Sequence, residues 1–167
     1  MIISYLKPDW EPNSCLASIE INKLINKDIK ALILDVDGTI LSGKDIKVHS
    51  PTLNWIKEAK KSMKIELLSN NPSEKRISKI SNILGLNYTH RAVKPRRKKI
   101  NQVIKKMNVN PNNIAMVGDR IFTDIIGGNR LGLYTILVKP VGIDGKPLKR
   151  NKFQNLEKLI AKFIGAY

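Results

Sequence analysis

Short apolar runs alternate along this chain with segments whose apolar positions recur every three or four residues. Ala31-Leu32-Ile33-Leu34, Lys64-Ile65-Glu66-Leu67-Leu68, Ile114-Ala115-Met116-Val117 and Tyr134-Thr135-Ile136-Leu137-Val138 read as short buried strands. Tyr88-Thr89 adds a weaker one. Helical spacing fills the gaps. A short helix is predicted near Ser18–Asn26, and Ser50-Pro51 supplies an N-cap and first helical residue for a helix reaching Lys61. Pro72-Ser73 opens another, with Ile77, Ile80, Ile83 and Leu84 on one face and Gly85 as its stop. A basic helix is predicted from Pro95 to Met107, a further one from about Thr123 to Gly132, and an amphipathic one over Asn155–Ile164. Strands alternating with helices predict an α/β fold on a mostly parallel sheet.

The length, 167 residues, fits one domain. It divides into an N-terminal extension over 1–30, a core over 31–138, and a loop with a C-terminal helix over 139–167. With 42% hydrophobic and 26% charged residues the composition is that of a globular protein. The single cysteine, Cys15, excludes an intramolecular disulfide framework and a cysteine-cluster zinc site. No apolar run approaches the length of a membrane span, and the first residues lack a signal-peptide pattern. The charge is the unusual quantity. Thirty Lys and Arg against 14 Asp and Glu give +16, which points to an anionic partner: nucleic acid, a phosphorylated ligand or an anionic lipid surface.

In parallel sheets, ligands sit beyond the carboxyl ends of the strands. Asp35, Ser69 and Asp119 each follow a predicted strand, and Lys94 lies just past Tyr88-Thr89. In Asp35-Val36-Asp37-Gly38-Thr39, residues two apart in an extended segment point the same way. Two close carboxylates both ionise comfortably only with a cation present. A hard divalent ion such as Mg2+ meets that need. Taken alone, the motif fits a turn with two solvated aspartates as well as it fits a site. A calcium loop is excluded, because its sixth and twelfth positions would be Ile40 and Ile46. Asp119 and Asp124 in Asp119-Arg120-Ile121-Phe122-Thr123-Asp124 add carboxylates at the same edge, although Asp124 also suits a helix first turn. Ser69 and Lys94 carry information only through their order and position beside these aspartates.

This ordered set, Asp-x-Asp-Gly-Thr, a strand-end Ser, Lys-Pro and Gly-Asp-x-x-x-x-Asp, resembles the haloacid dehalogenase (HAD) superfamily of phosphohydrolases. The resemblance spans residues 31 to 138. It implies a Rossmann-like, three-layer fold. It also implies an Mg2+-dependent phosphomonoester hydrolase acting through an aspartyl phosphate. By this resemblance Asp35 is the nucleophile, and Asp37 is the acid and then the base. An Asp35 oxygen, the Asp37 backbone carbonyl and the Asp119 carboxylate hold the metal, with Asp124 acting from its outer shell. Ser69 and Lys94 bind the phosphoryl oxygens. Thr39 and Asn70 join them as candidate substrate-binding residues.

The gaps narrow the substrate. Thirty-one residues separate Asp37 from Ser69 and 24 separate Ser69 from Lys94, too few for an independent cap domain. An open site suits a large or membrane-presented substrate. The stretch from Gly118 through Arg130, Tyr134–Val138 and the early Leu6-Lys7-Pro8-Asp9 resemble the YqeG-type subgroup and the related phosphatidylglycerophosphate phosphatases. Gly38 departs from the Asn common in that subgroup. This resemblance implies dephosphorylation of phosphatidylglycerophosphate to phosphatidylglycerol, an anionic phospholipid substrate. The single cysteine fits a cytoplasmic protein, and the basic charge fits one peripheral on the inner face of the membrane. Residues 91–106 hold eight basic groups and no acid, and Arg91, Arg96, Arg97, Lys98 and Lys99 form a candidate patch for membrane or anion contact. Two alternatives remain open: a capless phosphatase of a soluble or macromolecular phosphate, and a nucleic-acid-binding module on the same fold. Aromatic residues at only 5% and the intact aspartates disfavour the second.

Overall fold

A computed structural model describes residues 3–43 and 45–166. Met1 and Ile2, part of the segment read above for a targeting signal, lie outside the described residues. Five parallel strands form the sheet: β1 (Ala31–Leu34), β2 (Lys64–Leu68), β3 (Asn87–Thr89), β4 (Ile114–Gly118) and β5 (Tyr134–Leu137), in the order β3-β2-β1-β4-β5. The chain moves outward from β1 on one side, then returns to pair β4 with β1 on the other. The β1/β4 boundary is therefore the switch point where such sheets open a crevice. The fold is Rossmann-like, as expected. The connections from β1 to β2 and from β2 to β3 carry one α-helix each, and no large cap is evident among the described residues.

Alternation along β1 sorts the core. Leu32 and Leu34 face one layer, with α2 (Ser50–Ala59) and α3 (Glu74–Leu84), while Ile33 faces the other, with α4 (Arg97–Met107). β1 and β4 are buried along their whole length, as expected of strands covered on both faces. The N-terminal segment is tied to the β5 edge. Trp10 bridges to Ile136, and the Asp9 carboxylate accepts from the Thr135 amide at 2.7 Å. The Asn129 amide donates to the carbonyls of Tyr5 and Lys7.

Several element ends differ from the pattern-based reading. The first helix is split into a 3-10 turn at Leu16–Ser18 and α1 (Ile21–Asn26). His49 rather than Ser50 caps α2, and α4 starts at Arg97 rather than Pro95. Ile83 is 49% exposed, so the buried face of α3 is Ile77, Ile80 and Leu84 without it. The segment after β4 begins as a π-helical turn at Ile121–Ile125 and continues as the short α5 (Ile126–Asn129), where one helix from Thr123 was expected.

The largest difference lies in α6 (Lys152–Phe163), which starts before the expected Asn155. Asn151 and Gln154 form a reciprocal capping box that sets its start. Its orientation reverses the usual rule: the residues it buries are Gln154, Glu157 and Ala161, and its large apolar side chains point outward. No described helix is long and apolar enough to cross a membrane.

Candidate active site

The site is built on the carboxyl ends of β1, β2 and β4. A cavity of about 160 Å3 is lined by Asp35, Asp37, Ser69, Asn70, Asn71, Lys94, Asp119, Arg120 and Thr123. A second, of about 330 Å3, shares Asp37, Asp119 and Arg120 with it and extends outward past Gly38, Leu148, Lys149 and Gln154. The inner space suits a group the size of a phosphate. The outer one leaves room for whatever the phosphate is attached to.

Asp35 leaves β1 with its amide paired to the Val117 carbonyl at 2.9 Å, which fixes it beside β4. Its carboxylate meets Lys94 Nζ and, at 3.5 Å, the buried Thr39 hydroxyl. Lys94 Nζ also reaches Asp124 at 2.7 Å and donates to the Leu68 carbonyl at 2.9 Å. One carboxylate oxygen from each of Asp35, Asp119 and Asp124 lies within 4.8 Å of the other two, and all three residues are buried. Two glycines permit this density. A Cβ at Gly118 would fall 2.2 Å from the Asp124 carboxyl carbon. One at Gly38, whose φ is +92°, would fall 2.4 Å from Asp119 Oδ2.

Three buried carboxylates face a single ammonium, so the cluster is under-neutralised. Burial, followed by the opposing pull of Lys94 and the push of Asp124, leaves Asp35 raised to about 7. Burial, then Asp35 and Asp124, raise Asp119 to about 8. Lys94 resists its own burial because Asp124 and Asp35 hold it well above the ordinary lysine range, so it stays charged. Asp119 Oδ2 accepts from the Gln154 amide, whereas Oδ1 is buried with no hydrogen-bond partner. An orphaned carboxylate oxygen amid excess negative charge, with oxygen donors only, fits a hard divalent cation.

Asp37 stands apart from this cluster. Arg76 on α3 pairs with its Oδ1 at 2.7 Å, and the Asn71 amide donates to its Oδ2 at 3.2 Å. The carboxyl is thus held at the cavity wall rather than among the other three. Ser69 is buried, and its hydroxyl accepts from the Asn71 amide N–H at 3.0 Å. Asn70 uses its side chain on Lys94: its Oδ1 accepts from the Lys94 amide at 2.7 Å and its Nδ2 donates to the Lys94 carbonyl at 3.2 Å. That pinning matters because Arg91 and Val93, just before Lys94, have φ of +47° and +56°. A β-branched residue seldom adopts such a backbone without outside support.

The candidate basic patch is not part of the cavity lining. Arg91, Arg96, Arg97 and Lys98 are exposed and Lys99 is half-buried, with Arg91 Nε donating to the Pro72 carbonyl at 3.3 Å.

Arg76, Gln154, Asn71 and Glu157, side chains that brace the candidate site, were not singled out in the sequence reading. Arg76 could have been suspected, because a cation in a helix's first turn opposes the helix dipole and calls for a compensating anion. Gln154 was marked by the Asn-x-x-Gln capping pattern. Asn71 and Glu157 left no such trace. Glu157 reaches across from α6, accepting from Arg120 Nε at 2.8 Å and from the Ile121 amide at 3.0 Å.

This chain is similar to known proteins. Residues 14–142 match the model of the mitochondrial PGP phosphatase family. The chain is 33% identical over 120 residues to the probable phosphatase YqeG of Bacillus subtilis, covering 71% of this chain and 69% of that protein. It is 28% identical over 187 aligned positions to the mitochondrial phosphatidylglycerophosphatase GEP4 of Saccharomyces cerevisiae, covering 93% and 92%. Among solved structures, the cobalt-bound deoxy-D-mannose-octulosonate 8-phosphate phosphatase of Haemophilus influenzae superposes with a TM-score of 0.52 at 18% identity, covering 84% of this chain and 90% of that one.

Proposed function

From this chain's membership of the PGP phosphatase family, a group of HAD-type phosphatases, we propose that it removes the terminal phosphate of phosphatidylglycerophosphate through a covalent intermediate on Asp35. The observation that carries the reaction is the convergence of Asp35, Lys94 and Asp119 on one small cavity whose wall holds a separate carboxyl, Asp37.

In this reading an Asp35 carboxylate oxygen attacks phosphorus and the bond to the leaving oxygen breaks. Asp37 delivers a proton to that oxygen, releasing the alcohol. Asp37, now a carboxylate, takes a proton from a water that attacks phosphorus. The Asp35–phosphorus bond then breaks, giving inorganic phosphate and the free carboxylate. Lys94 and the Ser69 hydroxyl hold the phosphoryl oxygens as charge develops on them. Arg76 and Asn71 keep Asp37 aimed across the cavity while Asp35 stays with Lys94. Asp35 and Asp119 would hold a divalent ion, Mg2+ in this proposal, with the Asp37 carbonyl as a third donor and Asp124 supporting from behind. Such an ion, when bound, would neutralise the carboxylates and the phosphate's charge.

The lipid assignment is supported by the family match, by the activity of the yeast relative and by the open outer cavity. The net charge of +16 favours an anionic surface. We place the protein, by the same reasoning, at the cytoplasmic face of a membrane as a peripheral enzyme. The test is Mg2+-dependent phosphate release from phosphatidylglycerophosphate in mixed micelles, with Asp35→Asn alongside. Release by the wild type that is lost in Asp35→Asn is expected. A folded, Mg2+-loaded wild type that releases phosphate from soluble monoesters but none from this lipid would overturn the substrate assignment.

A further inference from the structure

We infer that α6 is the surface by which this protein lies on an anionic lipid bilayer, with its apolar outer face in the acyl boundary and its lysines at the headgroups. The inference gives a place of contact to the lipid-substrate reading and rests on that reading for its purpose.

The outer face of α6 consists of Phe153 (72% exposed), Leu156 (52%), Leu159 (64%), Ile160 (38%) and Phe163 (91%). At the turn of an α-helix these five fall within an arc of about 120°. The inner face is fully engaged. Gln154 donates to Asp119, Glu157 takes Arg120 and the Ile121 amide, and Ala161 is buried against Leu6, Ile121 and Leu137. The outer arc therefore cannot be satisfied by a simple roll of the helix. A contiguous apolar patch of this kind on a strongly charged chain marks a contact surface. Leu148, 46% exposed and shortly before α6, lines the outer cavity beside Lys149 and Gln154.

Charge selects the occupant. Glu157, the one acid of α6, is turned inward onto Arg120. Lys152 and Lys162 are exposed on the helix, and Lys146 and Lys149 are exposed just before it. A second copy of the chain docking here would bring another +16 molecule and the same lysines to the contact, a like-charge juxtaposition that opposes association. An anionic bilayer meets both features: lysines gain at its surface and the aromatic and leucine side chains gain beneath it. The outer cavity then opens at the lipid surface.

The experiment uses the full chain and vesicles of phosphatidylcholine, with or without phosphatidylglycerol and free of phosphatidylglycerophosphate. Co-sedimentation of the wild type is compared with the double variant Leu156→Ser, Phe163→Ser. Hydrolysis of a soluble aryl phosphate reports that both proteins are folded with intact sites. The expected result is binding to the anionic vesicles that weakens with salt and falls about tenfold or more in the double variant. Phe163→Trp, which keeps the apolar surface, should bind like the wild type, with the emission of the added indole quenched by brominated acyl chains. Equal binding by wild type and double variant, or bound Phe163→Trp protein whose added indole emission is unquenched, would overturn the inference. So would a wild-type dimer that the double variant converts to monomer without any vesicle binding, which would assign the face to a second copy. Because the vesicles carry no substrate, binding without hydrolysis in the micelle assay would sink the lipid-substrate reading and leave the docking surface standing. Hydrolysis in micelles without vesicle binding would do the reverse.

Discussion

Arg76 pairs with Asp37 at 2.7 Å while its guanidinium also donates to the carbonyls of Gly43 and Asp45 at 2.9 and 2.7 Å. One side chain thus fixes the candidate acid and the loop that carries it beyond β1. Losing the fork should leave Asp37 present but poorly aimed. Arg76→Met is expected to lower kcat by about 10- to 100-fold with a smaller change in KM, because misplacing a reacting group by an ångström is costly. Steady-state kinetics on a soluble aryl phosphate, with circular dichroism to confirm the fold, checks this. A fall in melting temperature with unchanged kcat would show that Arg76 only braces the loop.

Gly118 makes room for Asp124. Its replacement by Ala would place a methyl group inside the Asp124 carboxyl, 2.2 Å from its carbon. Both sides are packed, so the strain has no easy outlet, and overpacking of this kind costs about 1–3 kcal/mol. Gly118→Ala should lower the melting temperature by several degrees and abolish activity together, read by calorimetry and by phosphate release. An active, equally stable variant would mean that Asp124 can leave without consequence.

The carboxylate cluster makes a prediction about pH. Asp35 and Asp119 titrate near 7 and 8 in the metal-free fold, above the 3.8 of the unfolded chain. Between these values the folded state binds more protons than the unfolded one. Metal-free stability should therefore fall as pH rises from about 4 to 8. Divalent cation replaces the missing protons, so Mg2+ should raise the melting temperature more at pH 8 than at pH 5. A stabilisation independent of pH, or larger at pH 5, would contradict the assignment of these carboxylates as ligands.

Much of this was legible in the residues. The strand-end aspartates were legible through position rather than alone: the Asp35 motif by itself fitted a turn equally well, but each aspartate follows a buried apolar run, and the parallel order gathers those ends at one edge. Three features were not. Ile83 fits the α3 spacing, yet the helix presents a narrower face to the sheet and leaves it out. The π-helical turn over Ile121–Ile125 is held from outside its own segment: Glu157 accepts from the Ile121 amide at 3.0 Å and Lys94 pairs with Asp124 at 2.7 Å, contacts that no local propensity encodes. The α6 pattern gave the correct amphipathic period but not its orientation, since periodicity says which residues share a side and not which side is covered.

Glu157 anchors α6 to the loop beyond β4. Glu157→Ala removes both its bond to the Ile121 amide and its bonds to Arg120, and hydrogen bonds to charged groups contribute about 1.5–3 kcal/mol. The variant should lose roughly that much in urea unfolding and should weaken the hold of Gln154 on Asp119, lowering Mg2+ affinity. Unchanged Mg2+ affinity would show that Gln154 is placed by its own capping box with Asn151 alone.

The proposed mechanism turns on Asp35 becoming covalently phosphorylated. The direct measurement is acid quench of the enzyme during turnover of radiolabelled substrate, followed by peptide mapping of protein-bound phosphate. The expected result is a hydroxylamine-labile label on the peptide containing Asp35, formed as fast as turnover requires and missing from Asp35→Asn. Phosphate release by the wild type with no label on Asp35 at any quench time, or undiminished release by Asp35→Asn, would contradict it.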